Sequence, residues 1–489
     1  MSGAAATSDP LPVAPADRPV AGSIRVPGSK SQSNRHLILA ALAGGSTTLR
    51  GLLACDDCDR LRAALDACGV RLDDVGDDGS EGLGEGAGVR SVRVTPAARV
   101  VGTAAAPVSL HLGDGGTPTR FMIAYAAAQP AGVFVIDGSA RMRERPVAEG
   151  VAMLRALGAR IEYAESEGRL PVRVFGGTLR GGAIEVGRTA SSQFVSALLL
   201  VAPRLAQGID IRFTEEPTSA SYLHLSLAAL AAVGVDAEIA YGPVRLGVAT
   251  IGGGLARICV APQPIRGGTV DIEPDASSAV YPAAAAVLTG GSVLLEGLPQ
   301  RNAQPDSYFI EDLALRGARV EAIGEDDGED GGDGEDGGGA AAGVRPRAIA
   351  TRISAGPILR GLDSDYARAP DAAVMAMVLA ACGDRPSRFT GLGTLRVKES
   401  DRIAAVAAGL RALGGTVDCG EDWALVHPLP ERPTPAAIDT VNDHRIAMAF
   451  AVLGLARPGV SIRNPACVGK SWPGFWLALD ALCRENPTR

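Results

Sequence analysis

The sequence predicts an α/β protein of six repeated units, most simply arranged as two similar domains of three. Three observations carry that expectation. A polar or glycine-containing opening, followed by an Ala/Leu/Val-rich run of helical length, recurs six times. Each opening is followed by a second helical run that, except in the truncated last unit, stops at a glycine before a β-branched segment. The chain has 489 residues, 46% of them hydrophobic and only 4% aromatic, which is enough for several cores of an aliphatic, Ala-rich kind.

The openings are SKSQSNR (Ser29 to Arg35), GDGGTPTR (Gly113 to Arg120), ASSQF (Ala190 to Phe194), PDASSA (Pro274 to Ala279), PDAA (Pro370 to Ala373) and NDHR (Asn442 to Arg445). Counted from Ser31, Asp114, Ser191, Asp275, Asp371 and Asn442, the intervals are 83, 77, 84, 96 and 71 residues, a period near 80. The longest interval contains an acidic Gly/Asp/Glu stretch, about 324–343, whose composition reads as a solvated loop. The second helices are LRAALDACGVRL, VAMLRALGARIEY, LSLAALAAVGVDAEI, FIEDLALRGARVEAI, VAAGLRALGGTVD and a truncated WLALDALC. Their glycines suit left-handed C-caps, and the alternation that follows suits half-buried strands. Ser, Asp and Asn at the openings are N-cap residues, and capping alone would account for them.

The balance of charge excludes several function classes. Net charge is −8, but eight acidic residues and no basic ones lie between Glu325 and Asp336, so the rest of the chain is neutral. With so few aromatics, neither a basic face nor a stacking platform for nucleic acid is expected. No apolar run is long enough for a membrane span. Residues 1–17 are Ala/Pro-rich without a basic or apolar leader, and are expected to form a disordered tail. The eight dispersed cysteines read as reduced thiols of a cytoplasmic protein, with Cys55 and Cys58 lacking a second pair or a histidine at ligand spacing. No metal or cofactor is expected, and GSKS and VGKS both lack the glycine spacing of a phosphate-binding P-loop.

What exceeds capping is the set of cations at the openings. Lys30, Arg35, Arg120, Arg145 and Arg445 stand at helix N-termini, where positive charge is unfavourable unless an anion lies between them. Of 47 basic residues only Lys30, Lys398 and Lys470 are lysine, as if a compact ammonium were needed there. In RMRERP, residues 141, 143 and 145 alternate and would project one way from an extended segment, either toward anionic oxygens or along a surface edge. LRVKESDR reads equally as a salt-bridged turn or as part of a site. From the residues alone the chain is an enzyme or binder for one or two phosphorylated or carboxylated small molecules, with Asp371 and Glu399 available for proton transfer.

The motifs PGSKSQSNR, GDGGTPTR, RMRERP, SSQF, PDAA, RVKESDR, NDHR and GKSWP stand in the order seen in 5-enolpyruvylshikimate-3-phosphate synthase, and the chain resembles that family from about Arg25 to Trp476. The resemblance implies the enolpyruvyl transferase fold, an inside-out α/β barrel of two domains, each with three βαβαββ-like units. One domain would comprise 18–28 plus 272–489, the other 29–271, with the active site between them. It implies carboxyvinyl transfer from phosphoenolpyruvate to the 5-hydroxyl of shikimate 3-phosphate, in a monomer without cofactor, and competition by glyphosate for the phosphoenolpyruvate pocket.

By the same resemblance Ser31 and Arg35 hold the shikimate carboxylate, while Ser191, Ser192, Ser219 and Lys398 hold its phosphate. Tyr222 packs on the ring and Gln193 lies near both ligands. Lys30, Arg145, Arg402, Arg445 and Lys470, with Gly116 and Thr117, surround phosphoenolpyruvate. Asp371 works on the 5-hydroxyl, Glu399 protonates the methylene carbon and Lys30 assists phosphate departure. Two positions depart from the family pattern: Asp114 and Thr394 stand where asparagine is usual. The runner-up is UDP-N-acetylglucosamine enolpyruvyl transferase, which commonly carries a loop cysteine that the Gly113–Pro146 segment lacks. A non-catalytic anion-binding relative is the third reading.

Overall fold

A computed structural model describes residues 8–76, 89–98, 102–246, 249–300, 302–324 and 350–484. The acidic stretch beyond Gly324 lies outside the described residues.

Each unit contributes a pair of long helices. They are α1 (Lys30–Leu42) and α2 (Asp56–Ala67); α3 (Gly116–Ala128) and, after the short α4 (Ala140–Glu144), α5 (Ala148–Ala156); α6 (Ser192–Val201) and α7 (Ala220–Ala232); α8 (Ala276–Thr289) and α9 (Tyr308–Leu315); α10 (Ala373–Ala380) and α11 (Arg402–Ala412); α12 (His444–Ala456) and α13 (Phe475–Arg484). The first helix of each pair is buried on nearly every side, which is why its run reads as uniformly apolar rather than amphipathic. The second helices are followed by Gly69, Gly158, Gly234, Gly317 and Gly414, all with φ between 74° and 108°, the left-handed caps expected of them.

The sheets repeat one pattern, in which a central strand has a parallel partner on one side and two antiparallel strands on the other. Val133–Asp137, for example, pairs parallel with Val108–His111 and antiparallel with Val172–Phe175, which carries Arg160–Tyr163 at the edge. Two units take their parallel strand from far away in sequence. Thr47–Leu53 pairs with Gly268–Asp271, and Ser292–Leu295 pairs with Ala21–Ile24. The sixth sheet, Ala436–Ile438 with Val460–Ile462, takes its antiparallel strand from Leu11–Pro12.

Residues 8–17 are therefore not a disordered tail. Leu11–Pro12 fills an edge that the truncated last unit leaves open. Val13 N donates to Val460 O at 2.9 Å and Ala16 N to Leu455 O at 2.9 Å, fixing the segment against α12.

Two cores result, one built from residues between Leu37 and Ile265, the other from Val20, Val26 and residues between Ala276 and Leu482. Among the described residues, the stretches from Val26 to Leu37 and from Ile265 to Ala276 join them. Gly28 and Pro274 form an antiparallel bridge, with Ser29 N on Glu273 O and Asp275 N on Pro27 O, each at 2.8 Å. A Cβ on Gly28 would lie 1.9 Å from Gly51 O, so this crossing admits no side chain at that point.

The openings differ from simple caps. Ser29, Ser191 and Asp443 cap α1, α6 and α12 through their side chains, whereas Ser31 and Asn442 do not occupy the N-cap position. Gly115 and Ala372 take that position at α3 and α10, which leaves Asp114 and Asp371 free of the capping role. Asp275 stands at the N-cap of α8 but bonds Ser278 Oγ instead of a helix amide.

Deleting residues 8–17 removes the edge strand and its amide bonds, worth roughly 2 kcal/mol at about 1 kcal/mol per bond. Thermal denaturation should show the melting temperature falling by about 4–8 °C, at the few degrees per kcal/mol usual for a domain of this size. An unchanged midpoint would show that the strand contributes nothing.

Candidate active site

The space between the two cores is a cleft of about 900 Å³, its open mouth included, walled by helix N-termini from both sides. Seven cationic side chains line it (Lys30, Arg35, Arg120, Arg145, Lys398, Arg402, Arg445) against three carboxylates, Asp57, Asp371 and Glu399. Helix N-termini add positive potential to that excess, so the cleft suits polyanionic small molecules.

Arg402, at the start of α11 and 1% exposed, organises the carboxylates. Its Nε lies 2.8 Å from Asp443 Oδ2, its Nη1 2.9 Å from Asp371 Oδ1 and its Nη2 2.8 Å from Glu399 Oε2. Asp371 also receives Arg445 Nη2 at 2.9 Å and Lys398 Nζ at 3.3 Å, and Glu399 receives Lys470 Nζ at 3.3 Å. Burial alone would raise both carboxyls. The charges of Arg445, Lys398 and Arg402 outweigh it at Asp371, those of Lys470, Arg402, Arg145 and Lys30 at Glu399, and both are held well below the ordinary carboxylate range.

All three lysines of the chain form ion pairs here: Lys30 Nζ with Asp57 at 3.2 Å, Lys398 with Asp371 and Lys470 with Glu399. Burial disfavours the Lys30 ammonium, but Asp57 and Glu399 overcome it and raise the group above its ordinary value.

On one wall stand Ser31, Arg35, Ser191, Ser192, Gln193, Ser219 and Tyr222, facing Thr394 and Lys398. Arg35 is largely spent on the protein. It bonds Ser226 Oγ at 2.9 Å, Ser31 O at 2.9 Å, Ser196 Oγ at 3.3 Å and Tyr222 O at 3.1 Å, leaving one of its five N–H groups for a ligand. Gln193, which lines the cleft, accepts Arg120 Nη1 on Oε1 at 2.5 Å, and its amide nitrogen remains as a donor. Ser219 sits at φ 48°, a left-handed backbone held at the entry to α7. Thr394 Oγ1 is buried with no hydrogen-bond partner among the described residues, as are Nε of Arg120, Arg145 and Arg445. Asp57 Oδ1 is a fifth; buried polar groups are normally paired, and five unpartnered atoms lining one cleft point to a polar ligand.

The RMRERP segment is not extended. Ser139 caps the short helix α4, so the arginines diverge. Arg143 turns to Asp137 at 2.9 Å and 2.5 Å, Arg141 reaches across to the backbone oxygen of Glu399 at 3.1 Å, and Arg145 alone lines the main cleft. Gly116 and Thr117, in the first turn of α3, lie beside it.

Asp114 and Lys470 line an adjoining hollow with Arg141, Arg145 and Glu399. The Asp114 carboxylate accepts the Ser139 hydroxyl, and its backbone oxygen receives Lys470 Nζ at 3.3 Å. Asp57 and Asp443 are the site groups that the motifs did not single out as carrying chemistry, whereas Arg120 was marked only as a cation at a helix start. Asp443 lay inside NDHR, and only its place beside a cation could have marked it.

The family model for EPSP synthase (3-phosphoshikimate 1-carboxyvinyltransferase) matches residues 15–479. A relative of that name from Methanosphaerula palustris is 37% identical over 470 residues, covering 95% of this chain and 97% of its own length. Another from Vibrio campbellii is 34% identical over 463 residues, covering 95% and 97%. Among solved structures, EPSP synthase from Acinetobacter baumannii superimposes with a TM-score of 0.74 at 25% identity over 97% of this chain and 98% of that one. The enolpyruvyl transferase NikO from Streptomyces tendae, at 16% identity and TM-score 0.68 over 97% of both chains, shares the fold. With its six-unit architecture and a cleft of paired carboxylates among cations, the chain belongs to the EPSP synthase family, the 3-phosphoshikimate 1-carboxyvinyltransferases.

Proposed function

We propose that the cleft joins phosphoenolpyruvate to the 5-hydroxyl of shikimate 3-phosphate, with the acceptor on the Ser31–Tyr222 wall and the donor among Lys30, Arg145, Arg402, Arg445 and Lys470. The observation that carries this reading is the half-buried pair Asp371 and Glu399 within a surplus of cations. A binder of anions gains nothing from two carboxylates in its pocket, whereas addition–elimination needs a group to take one proton and a group to give another.

The acceptor oxygen bonds to C2 of phosphoenolpyruvate, its proton passing to Asp371 while C3 gains one from Glu399. The C2–O bond to phosphate then breaks, C3 returns a proton to Glu399 and the Asp371 proton leaves with inorganic phosphate, Lys30 steadying the departing oxygen. Ser191, Ser192, Ser219 and Lys398 supply donors for the acceptor phosphate, and Ser31 with the remaining N–H of Arg35 for its carboxylate. Thr394, short but unpartnered, serves a hydroxyl or phosphate oxygen of the acceptor through water. Gly116 and Thr117 offer amides to the donor, and Asp114 holds Lys470 through its carbonyl, so that its carboxylate, engaged by Ser139, need not repel the ligand.

A proton donor that is ionised in the free protein has to be charged by its substrate. Phosphoenolpyruvate draws Lys470, Arg145, Lys30 and Arg402 toward its own oxygens, which removes the influence holding Glu399 down. Burial then dominates and the carboxyl takes up a proton.

The direct test is phosphate release from phosphoenolpyruvate, with shikimate 3-phosphate or UDP-N-acetylglucosamine as acceptor and a chelator present. Turnover only with the sugar nucleotide overturns the acceptor assignment, and dependence on an added divalent ion overturns the metal-free chemistry.

Calorimetric titration of both substrates in buffers of different ionisation enthalpy should show net proton uptake near neutral pH. Glu399→Gln should reduce that uptake; an unaltered value would place the proton elsewhere.

A Cβ at Gly116 would stand 2.6 Å from Nη1 and 2.7 Å from Nη2 of Arg145, so Gly116→Ala must displace that guanidinium. Steady-state kinetics should show KM for phosphoenolpyruvate rising about tenfold while KM for shikimate 3-phosphate stays within about twofold. Inhibition by glyphosate, packed in the same pocket, should weaken further; equal losses would mean that Gly116 does not discriminate.

A further inference from the structure

One buried carboxylate stands where the two cores meet and takes no part in the chemistry above. Asp306, in the 3-10 turn Pro305–Ser307, is 2% exposed and does not line the cleft. Its Oδ2 accepts the phenol of Tyr222 at 3.3 Å and the hydroxyl of Ser277, and its Oδ1 accepts the amide of Ala372 at 3.1 Å. Tyr222 comes from α7 on one side of the cleft, Ser277 from the first turn of α8 on the other, and the Ala372 amide is the peptide bond that carries Asp371 into α10.

A neutral side chain would serve to receive one backbone amide. A buried carboxylate without an ammonium or guanidinium bonded to it is expensive. Burial, together with Asp371 and Asp275, pushes Asp306 up to about 6 against the opposing charge of Arg445. What an anionic acceptor adds is strength toward hydroxyl donors, and one of the two hydroxyls reaches it from across the cleft.

We infer that Asp306 is a positioning residue of the acceptor site, tying the Tyr222 ring of one side to the Asp371 turn of the other. The side chain that lies against the acceptor and the carboxylate that works on its hydroxyl are then set by one group. The inference rests on the shikimate 3-phosphate reading above.

The test is a cycle of Asp306→Asn, Tyr222→Phe and the double variant in the full-length protein, with KM for both substrates, kcat and the melting temperature. Asp306→Asn should raise KM for shikimate 3-phosphate about fivefold or more and lower kcat about tenfold, with KM for phosphoenolpyruvate within about twofold. The double variant should be little worse than the poorer single one, because both remove the same link. Near-wild-type kinetics, equal losses for both substrates, or losses that multiply in the double variant overturn the inference. If Asp306→Asn does not fold, Tyr222→Phe reads the link from the other end, since it keeps the ring, and a kcat within about twofold of wild type overturns the inference. A wild-type protein inactive with shikimate 3-phosphate would sink the acceptor assignment and this inference together; an active one with uncoupled variants would sink this inference alone.

Discussion

The geometry of the cleft depends on one buried guanidinium. Arg402 and Asp443 would each be untenable alone at their depth; the planar fork of Arg402 meets Asp443, Asp371 and Glu399 together, and Arg445, Lys398 and Lys470 complete the pairing of the last two. Asp443 is fully buried and engages the Nε edge, which fixes the plane of the fork. Asp371 and Glu399 then take one Nη each, and that spacing separates the two sites of proton transfer. Lysine could not do this, because a single ammonium has no plane and no second nitrogen. The chain's lysines are instead set around the rim of the network, where each makes one ion pair.

The repeated unit was legible because it is local. A helix, a glycine in the left-handed region and an alternating strand follow each other within some twenty residues, and Gly69, Gly158, Gly234, Gly317 and Gly414 all took the backbone conformation expected of them. What periodicity could not show were pairings made at long range. Leu11–Pro12 has no strand pattern of its own, and becomes a strand because Val460–Ile462 presents an unfilled edge. The alternation of Arg141, Arg143 and Arg145 suggested an extended segment, yet a capping serine and the intervening Met142 and Glu144 allow a helical turn just as well.

The cleft was readable to a similar depth. Cations at helix starts were visible as an electrostatic misfit; Asp57, Asp371, Glu399 and Asp443 resolve it at Lys30, Arg402 and Arg445, while Arg35, Arg120 and Arg145 have only neutral partners among the described residues. Which acidic residue meets which base is a tertiary fact. Asp57 is the second residue of α2, one of three acidic residues in its first turn, and Asp306 sits in a short turn with no motif around it, so neither carries a local mark of its place.

The long-range pairings also bear on how the chain is made. Synthesis runs from the N-terminus, and domains tend to fold as units while it proceeds. The core between Leu37 and Ile265 receives its last strand with Gly268–Asp271 and can close at that point. The other core cannot begin its first sheet until Ser292–Leu295 emerges to meet Ala21–Ile24, and its last sheet waits for Val460–Ile462 to reach Leu11–Pro12. Two early strands must therefore stay unpaired throughout most of translation. Their shortness, with glycine in one and proline in the other, makes them poor templates for pairing with other chains during that interval.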